Sequence, residues 1–241
     1  MVESVMNLVD RPDISRFLTH LTRSTVESSA LDNLISILND HKLNASTFCC
    51  MFNKELAKLS QKQQKEFSVT FFTETPLDRL KVVVKTLVHN NRRFEPYGLI
   101  FLKDTYCIES GFGINPVIYV RDQNRNLTKS FWNQFNNWKE KPDENITFPT
   151  LGCLVNHVSL ENDFQWQREW RMKGDYSFDY AQVIAVIAPQ EEHGRIKKFC
   201  ICEDVNKLTF IDSEWDIEEI LYQLSKKHWQ LSEQVLNVFK E

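Results

Sequence analysis

The chain has 241 residues, 42% of them apolar and 12% aromatic, enough to bury a sizeable core within one domain. Its 29 basic and 33 acidic residues leave a formal charge of −4 and are mixed along the chain, which excludes a broad basic footprint for bulk nucleic-acid binding. The N-terminus has no charged segment followed by an apolar run, and nowhere do about 18 apolar residues follow one another, so the expectation is a cytoplasmic protein that is neither secreted nor membrane-spanning.

The chain begins with a strand-like stretch, Phe17 to Thr22, containing His20. Ser28 or Ser29 can then cap a helix whose face is Leu31, Leu34, Ile35 and Leu38. Residues Asn53 to Glu66 read as a solvated helix, and Phe67 to Glu74, rich in β-branched and aromatic residues, as a strand. Pro76 suits the first turn of a helix running to about His89. Tyr97 to Leu102 and Pro116 to Val120 are short apolar runs separated by Gly111-Phe112-Gly113, the pattern of adjacent strands joined by a turn. The polar stretch 122–163, with Phe131, Trp132, Phe135 and Trp138 scattered through it, reads as an inserted helix and loops rather than a second core. Strand-like runs return at Gln165 to Met172, Val183 to Ala188, Lys198 to Cys202 and Leu208 to Ile211. Asp212 or Ser213 then caps a C-terminal helical region, 213–241, through Ile217, Ile220, Leu221 and Leu224, continuing through Leu231, Val235 and Phe239. Strands interspersed with helices, many in hairpin order, predict one α+β domain with a mixed, mainly antiparallel sheet flanked by helices and a helical C-terminal tail.

No GxGxxG, P-loop, GxSxG or HExxH pattern occurs, which disfavours dinucleotide dehydrogenases, P-loop NTPases, elbow-type hydrolases and zincins. The six cysteines, Cys49, Cys50, Cys107, Cys153, Cys200 and Cys202, form no CxxC pair and have no His at ligand spacing, so reduced thiols and no metal site are expected. The segment Trp166-Gln167-Arg168-Glu169-Trp170-Arg171 carries the leading candidate. If Gln165 to Met172 is extended, Trp166, Arg168, Trp170 and Met172 share one face, the tryptophans and Met172 anchoring a core, while Gln165, Gln167, Glu169 and Arg171 share the other. The bland alternative is an edge strand whose Glu169 and Arg171 face water, where such a pair contributes little. His20, beside apolar residues, is a second candidate. The strand end Phe71-Phe72-Thr73-Glu74 is a third, because polar groups at element ends are where sites tend to be built; Glu74 or Thr75 as a helix cap is the plainer reading there.

The order of FLTHLTR, NLISILNDHKL, VTFFTETPL, YGLIFLKD, NPVIYV and WQREWRMKGD resembles the AbiGi-type family of abortive phage-resistance proteins over most of residues 16 to 190, with FTETPL and REWR the most specific pieces. More remotely, the first three blocks and the last resemble ADP-ribosyltransferases of the His-Tyr-Glu class, which implies an ADP-ribosyltransferase-like fold and NAD as substrate. By that resemblance His20 holds a ribose hydroxyl with Thr22 beside it, Phe71 or Phe72 lines the nicotinamide pocket and Glu169 is the catalytic carboxylate; Glu74 and Arg171 are expected among the cofactor-binding residues of the same cleft. The chain departs from the class at Leu21, where Gly is usual, and lacks its stacking Tyr after Pro76. The function expected is a phage-defence or toxin-like effector, either an NAD glycohydrolase or an ADP-ribosyltransferase modifying a protein or nucleic-acid acceptor. The alternative is a non-catalytic sensor or antitoxin-like partner of a defence system, binding through the exposed aromatics of Phe131 to Trp138 or through the C-terminal helical face. A nuclease is the least favoured reading, because Glu74, Asp78, Glu169 and Arg171 have no metal-ligand spacing.

Overall fold

The structure, a computed structural model, describes residues 14–45, 50–89, 94–103, 113–121, 125–158 and 165–226. The expectations for the N-terminus, Cys49, Cys107, the turn at Gly111 and Phe112, and the helical pattern from Leu231 to Phe239 lie outside the described residues. In chain order the first elements are β1 (Phe17–Arg23), α1 (Ala30–Asp40), β2 (Lys42–Leu43), α2 (Asn53–Leu56), α3 (Gln61–Lys65), β3 (Val69–Thr73), α4 (Leu80–His89) and β4 (Phe94–Leu102). They are followed by β5 (Asn115–Pro116), β6 (Ile118–Arg121), α5 (Arg125–Glu140), α6 (Phe148–Gly152) and β7 (Val155–Val158). The last are β8 (Glu169–Lys173), β9 (Tyr176–Ser177), β10 (Val183–Ile187), α7 (His193–Phe199) and β11 (Phe210–Ile211), after which residues 217–226 are helical. The class is therefore α+β with mainly antiparallel strand pairing. Among the described residues no helix is long and apolar enough to cross a membrane.

The chain forms two compact units, one built from the chain up to His41, Thr75–Lys103 and the chain from Phe178 onward, the other from Lys42–Glu74 and the stretch up to Ser177. In unit 1, β4 pairs antiparallel with β1 on one side and β10 on the other, and β11 runs parallel to β10. The parallel pair is joined through α7, because two parallel strands need a crossover rather than a tight turn. Leu21, Ile100, Ala185, Ile187 and Ile211 from the strands pack with Leu80, Val83 and Val84 of α4 and with Ile220. α1 starts where Ser29 accepts from the Asp32 N–H at 3.1 Å, and buries Ala30, Leu31, Leu34 and Leu38 as one stripe, the helical spacing visible in the sequence. Its C-terminus is closed by His41 in the left-handed region, φ 52°, and by the Tyr180 hydroxyl, which donates to the Leu38 carbonyl at 2.8 Å. Burial pushes the Tyr180 phenol up, with Cys202 and Cys200 adding to the shift.

Two local expectations are overturned in unit 1. Residues Lys198 to Cys202 form no strand: α7 runs to Phe199 and buries Ile196, leaving Phe199 and Ile201 exposed. The C-terminal helical stretch begins at Asp216, whose Oδ1 accepts from the Glu219 N–H at 2.8 Å, and Asp212 instead receives the N–H groups of Gln190 and Glu214.

In unit 2, β8 pairs antiparallel with β3 and with the short β5, while β6 and β7 form a parallel pair of their own. β4 and β5 are therefore no hairpin, since β4 pairs with β1 and β10 and β5 with β8. The stretch from Asn53 to Glu66 is two short helices with Leu56 fully buried. The polar middle of the chain does build a second core. Phe131, Phe135 and Trp138, spaced four and three residues apart on α5, are buried with Phe52, Phe67, Phe148, Val69, Val120 and Val155. Phe52 stacks on Phe135 with centroids 4.6 Å apart, and Phe67 meets Trp138 edge-on at 5.0 Å, both favoured aromatic arrangements. These side chains are thus no exposed binding surface. The sparse spacing on a mostly polar helix disguised a stripe that only its aromatic partners complete.

Candidate functional site

Glu169 is the first residue of β8, and the chain reaches it through an unusual backbone. Gln165 to Gln167 form a single 3-10 turn, and Arg168 follows with φ 44°, a left-handed conformation that costs a non-glycine residue about 1–2 kcal/mol and is often kept at functional sites. The expected continuous strand from Gln165 is thereby corrected to Glu169–Lys173, and Trp166, expected to anchor a core, is 41% exposed. On either side of the Arg168 kink the chain is tied down. The Glu74 N–H donates to the Arg168 carbonyl at 3.0 Å, and the Val117 N–H to the Glu169 carbonyl at 2.9 Å.

From Glu169 onward the strand alternates as expected, but the burial is the reverse of the edge-strand reading. Register places Thr73 opposite Glu169 and Phe71 opposite Arg171, so these four share a face with Val69 of the aromatic core. The Arg171 side chain is fully buried and that of Glu169 is 11% exposed. The guanidinium grips the carboxylate with two bonds, Nε to Oε1 and Nη2 to Oε2, both 3.0 Å, the bidentate geometry that makes charge-assisted pairs strong. Its third nitrogen, Nη1, donates to the Cys153 carbonyl at 2.7 Å. That carbonyl stands at the C-terminal end of α6, where unsatisfied helix carbonyls favour a cation. The guanidinium also lies 5.4 Å from the centroid of the Phe71 ring, within cation–π range. Tyr119 of β6 completes the group by donating its hydroxyl to Glu169 Oε2 at 3.3 Å.

The cysteine beside this cluster is no nucleophile. Burial pushes the Cys153 thiol up, against the opposing pull of the Arg171 and Lys173 charges, and its Sγ–H donates to the Thr150 carbonyl at 3.3 Å. A thiol held protonated in this way is inert. Among the described residues no group of three or more His, Cys, Asp or Glu side chains is arranged to hold a metal ion.

The expected site residues divide as follows. Glu169, Arg171 and Phe71 come together, but Arg171 turns inward, with no surface left to touch a ligand. Phe72 points to the opposite face and is buried, edge-on to Tyr176 at 5.5 Å, so its ring is not available to stack on nicotinamide. Glu74 is buried as well, and its Oε2 accepts from the Trp170 indole N–H at 2.9 Å. The residue at the cap position of the following turn is Pro76, which makes no side-chain cap bond. His20 and Thr22 belong to unit 1, on β1. Thr22 is buried and its hydroxyl is directed at the carbonyl oxygens of Ala30 and Tyr97, 3.1 and 3.3 Å away. His20 is half-buried and opposite Leu99 of β4. The residues missed from sequence are Tyr119 and the carbonyl of Cys153. Both reach the site through strand pairing and helix ends far away in the chain, and the only local sign was a lone Tyr in an apolar run.

What the arrangement offers chemically is a carboxylate in one orientation, surrounded by donors and therefore presented as an acceptor. No family model matches the chain, and neither does any curated protein or solved structure.

Proposed function

We propose that this protein is a phage-defence or toxin-like effector of the bacterial cytoplasm that cleaves the nicotinamide–ribose bond of NAD, as an ADP-ribosyltransferase or NAD glycohydrolase, with Glu169 as the acting carboxylate. The resemblance of the WQREWRMKGD and VTFFTETPL blocks to abortive-resistance proteins motivates the biology. The observation that carries the chemistry is the carboxylate of Glu169, 11% exposed, gripped by Arg171 and touched by Tyr119. Breaking a glycosidic bond to a cationic leaving group passes through an oxocarbenium-like state, which a fixed carboxylate next to the ribose stabilises. The acceptor would be water in a glycohydrolase, or a protein or nucleic-acid nucleophile in a transferase.

The test is incubation of the purified protein with NAD and quantification of free nicotinamide. Glu169→Gln keeps the shape and removes the charge, and it should lower the release rate by about 10²–10³-fold, as removal of one electrostatic stabiliser does elsewhere. Release at the wild-type rate from that variant refutes the assignment. A second reading, a non-catalytic sensor or antitoxin-like partner, is favoured by the exposure of Ile217, Leu221 and Tyr222 on the C-terminal helical stretch. It expects no nicotinamide from any form of the protein.

A further inference from the structure

The bonds to Glu169 are unevenly shared between its two oxygens. Oε2 receives two donors, Nη2 of Arg171 at 3.0 Å and the Tyr119 hydroxyl at 3.3 Å, whereas Oε1 receives only Nε of Arg171, also at 3.0 Å. A carboxylate oxygen accepts about two hydrogen bonds, so among the described residues Oε2 is filled and Oε1 keeps one acceptor position. Arg171 cannot adapt. It is buried and anchored by the Cys153 carbonyl at 2.7 Å, so the plane of its fork sets the plane of the carboxylate. Tyr119 is half-buried on a different strand, opposite Asn156 of β7.

We propose that Tyr119 is a positioning residue of the Glu169 centre: by occupying Oε2 it leaves Oε1 as the oxygen that meets the ribose. This rests on the reading of Glu169 given above. Arg171 and Tyr119 divide the work, the first fixing the plane of the carboxylate and the second selecting its working oxygen. Without the phenol the carboxylate has two open acceptor positions instead of one, and a substrate hydroxyl or cationic carbon can engage Oε2 in an unproductive pose. Binding of NAD is then retained while the fraction of bound substrate in the reactive geometry falls.

The experiment compares wild type, Tyr119→Phe and Glu169→Gln in steady-state nicotinamide release from NAD, with urea denaturation of the same proteins and of the double variant. Tyr119→Phe is expected to lower kcat and KM together, each roughly tenfold, leaving kcat/KM nearly unchanged, the pattern of an added unproductive binding mode. A kcat equal to that of wild type, or a rise in KM with kcat intact, overturns the proposal. If wild type releases no nicotinamide, the NAD reading falls and the denaturation arm decides the contact by itself. The contact requires Tyr119→Phe to lower the urea midpoint in the Glu169 background, and to lower it less once Glu169 has been replaced by Gln, because a bond to a charged acceptor is about twice as strong as one to a neutral acceptor. Equal shifts in both backgrounds overturn the contact, and with it the proposal.

Discussion

Replacing Arg171 by methionine isolates what holds the centre together. The side chains are similar in length, but methionine supplies none of the guanidinium bonds. Two charge-assisted bonds to Glu169 and one to the Cys153 carbonyl disappear, and a carboxylate with 11% exposure is left without its counter-charge. Removing one partner of a buried ion pair costs about 3–5 kcal/mol. The residual exposure of Glu169 places the expected loss near the lower end, about 3 kcal/mol, a large share of the roughly 5–15 kcal/mol that holds a typical domain folded. With a urea slope of about 1–3 kcal/mol per molar, the midpoint should fall by roughly 1–3 M. Tryptophan fluorescence is the suitable probe, since Trp132, Trp138, Trp166 and Trp170 all lie in unit 2. The second half of the prediction is non-additivity. Adding Glu169→Leu to Arg171→Met removes the stranded carboxylate as well, so the double variant should be more stable than Arg171→Met alone, retaining a deficit of about 1–3 kcal/mol from the unpaired Cys153 carbonyl. A midpoint within about 0.5 M of wild type for Arg171→Met, or strictly additive losses in the double variant, would show that the pair is solvated and that the account of the site is wrong.

Two further outcomes test unit 1. A Cβ at Gly98 would collide with the backbone carbonyl oxygen of His20, so Gly98→Ala must part β1 from β4; a loss of about 1–3 kcal/mol is expected, read as a lower melting temperature and faster amide exchange in both strands. Burial pushes the Cys200 thiol up to about 11, with Cys202 reinforcing the shift. A folded-state value above the unfolded one contributes stability that is complete below the unfolded value and is lost as pH rises through the folded one. Stability should therefore decline with pH from the ordinary thiol range up to about 11, and Cys200→Ser should flatten that alkaline slope in pH-dependent melting curves; an unchanged slope would remove Cys200 as its source.

How much of this was legible in the sequence depends on the range of the interactions concerned. Helix α1 could be read from Ser29 and its Leu31, Leu34, Leu38 stripe, because a cap and a periodic face are local properties. Strand β3 was legible for the same reason, with Val69, Phe71 and Phe72 marking it and Pro76 ending it. The prominence of Glu169 was also legible, as a carboxylate between two tryptophans next to an arginine. Its environment was not. Alternation put Glu169 and Arg171 on one face, but whether that face meets water or core depends on what packs against it. What packs there, Phe71 across the β3–β8 register and the end of α6, is distant in the chain.

The same limit explains the misreadings. A strand was expected from Gln165 because period-two alternation does not reveal a 3-10 turn followed by a left-handed arginine. The aromatics of α5 looked like surface decoration, because the rings that bury them, Phe52, Phe67 and Phe148, come from other segments. By itself the sequence determined the α+β class, the better-capped helices and the strongest strands, all of which follow from propensity and periodicity within a few turns. Tertiary structure alone decided that Arg171 faces inward as the clamp on Glu169, that Tyr119 joins it and that Phe72 and Glu74 are occupied within the fold, because strand register and burial are set by contacts between residues far apart in the chain.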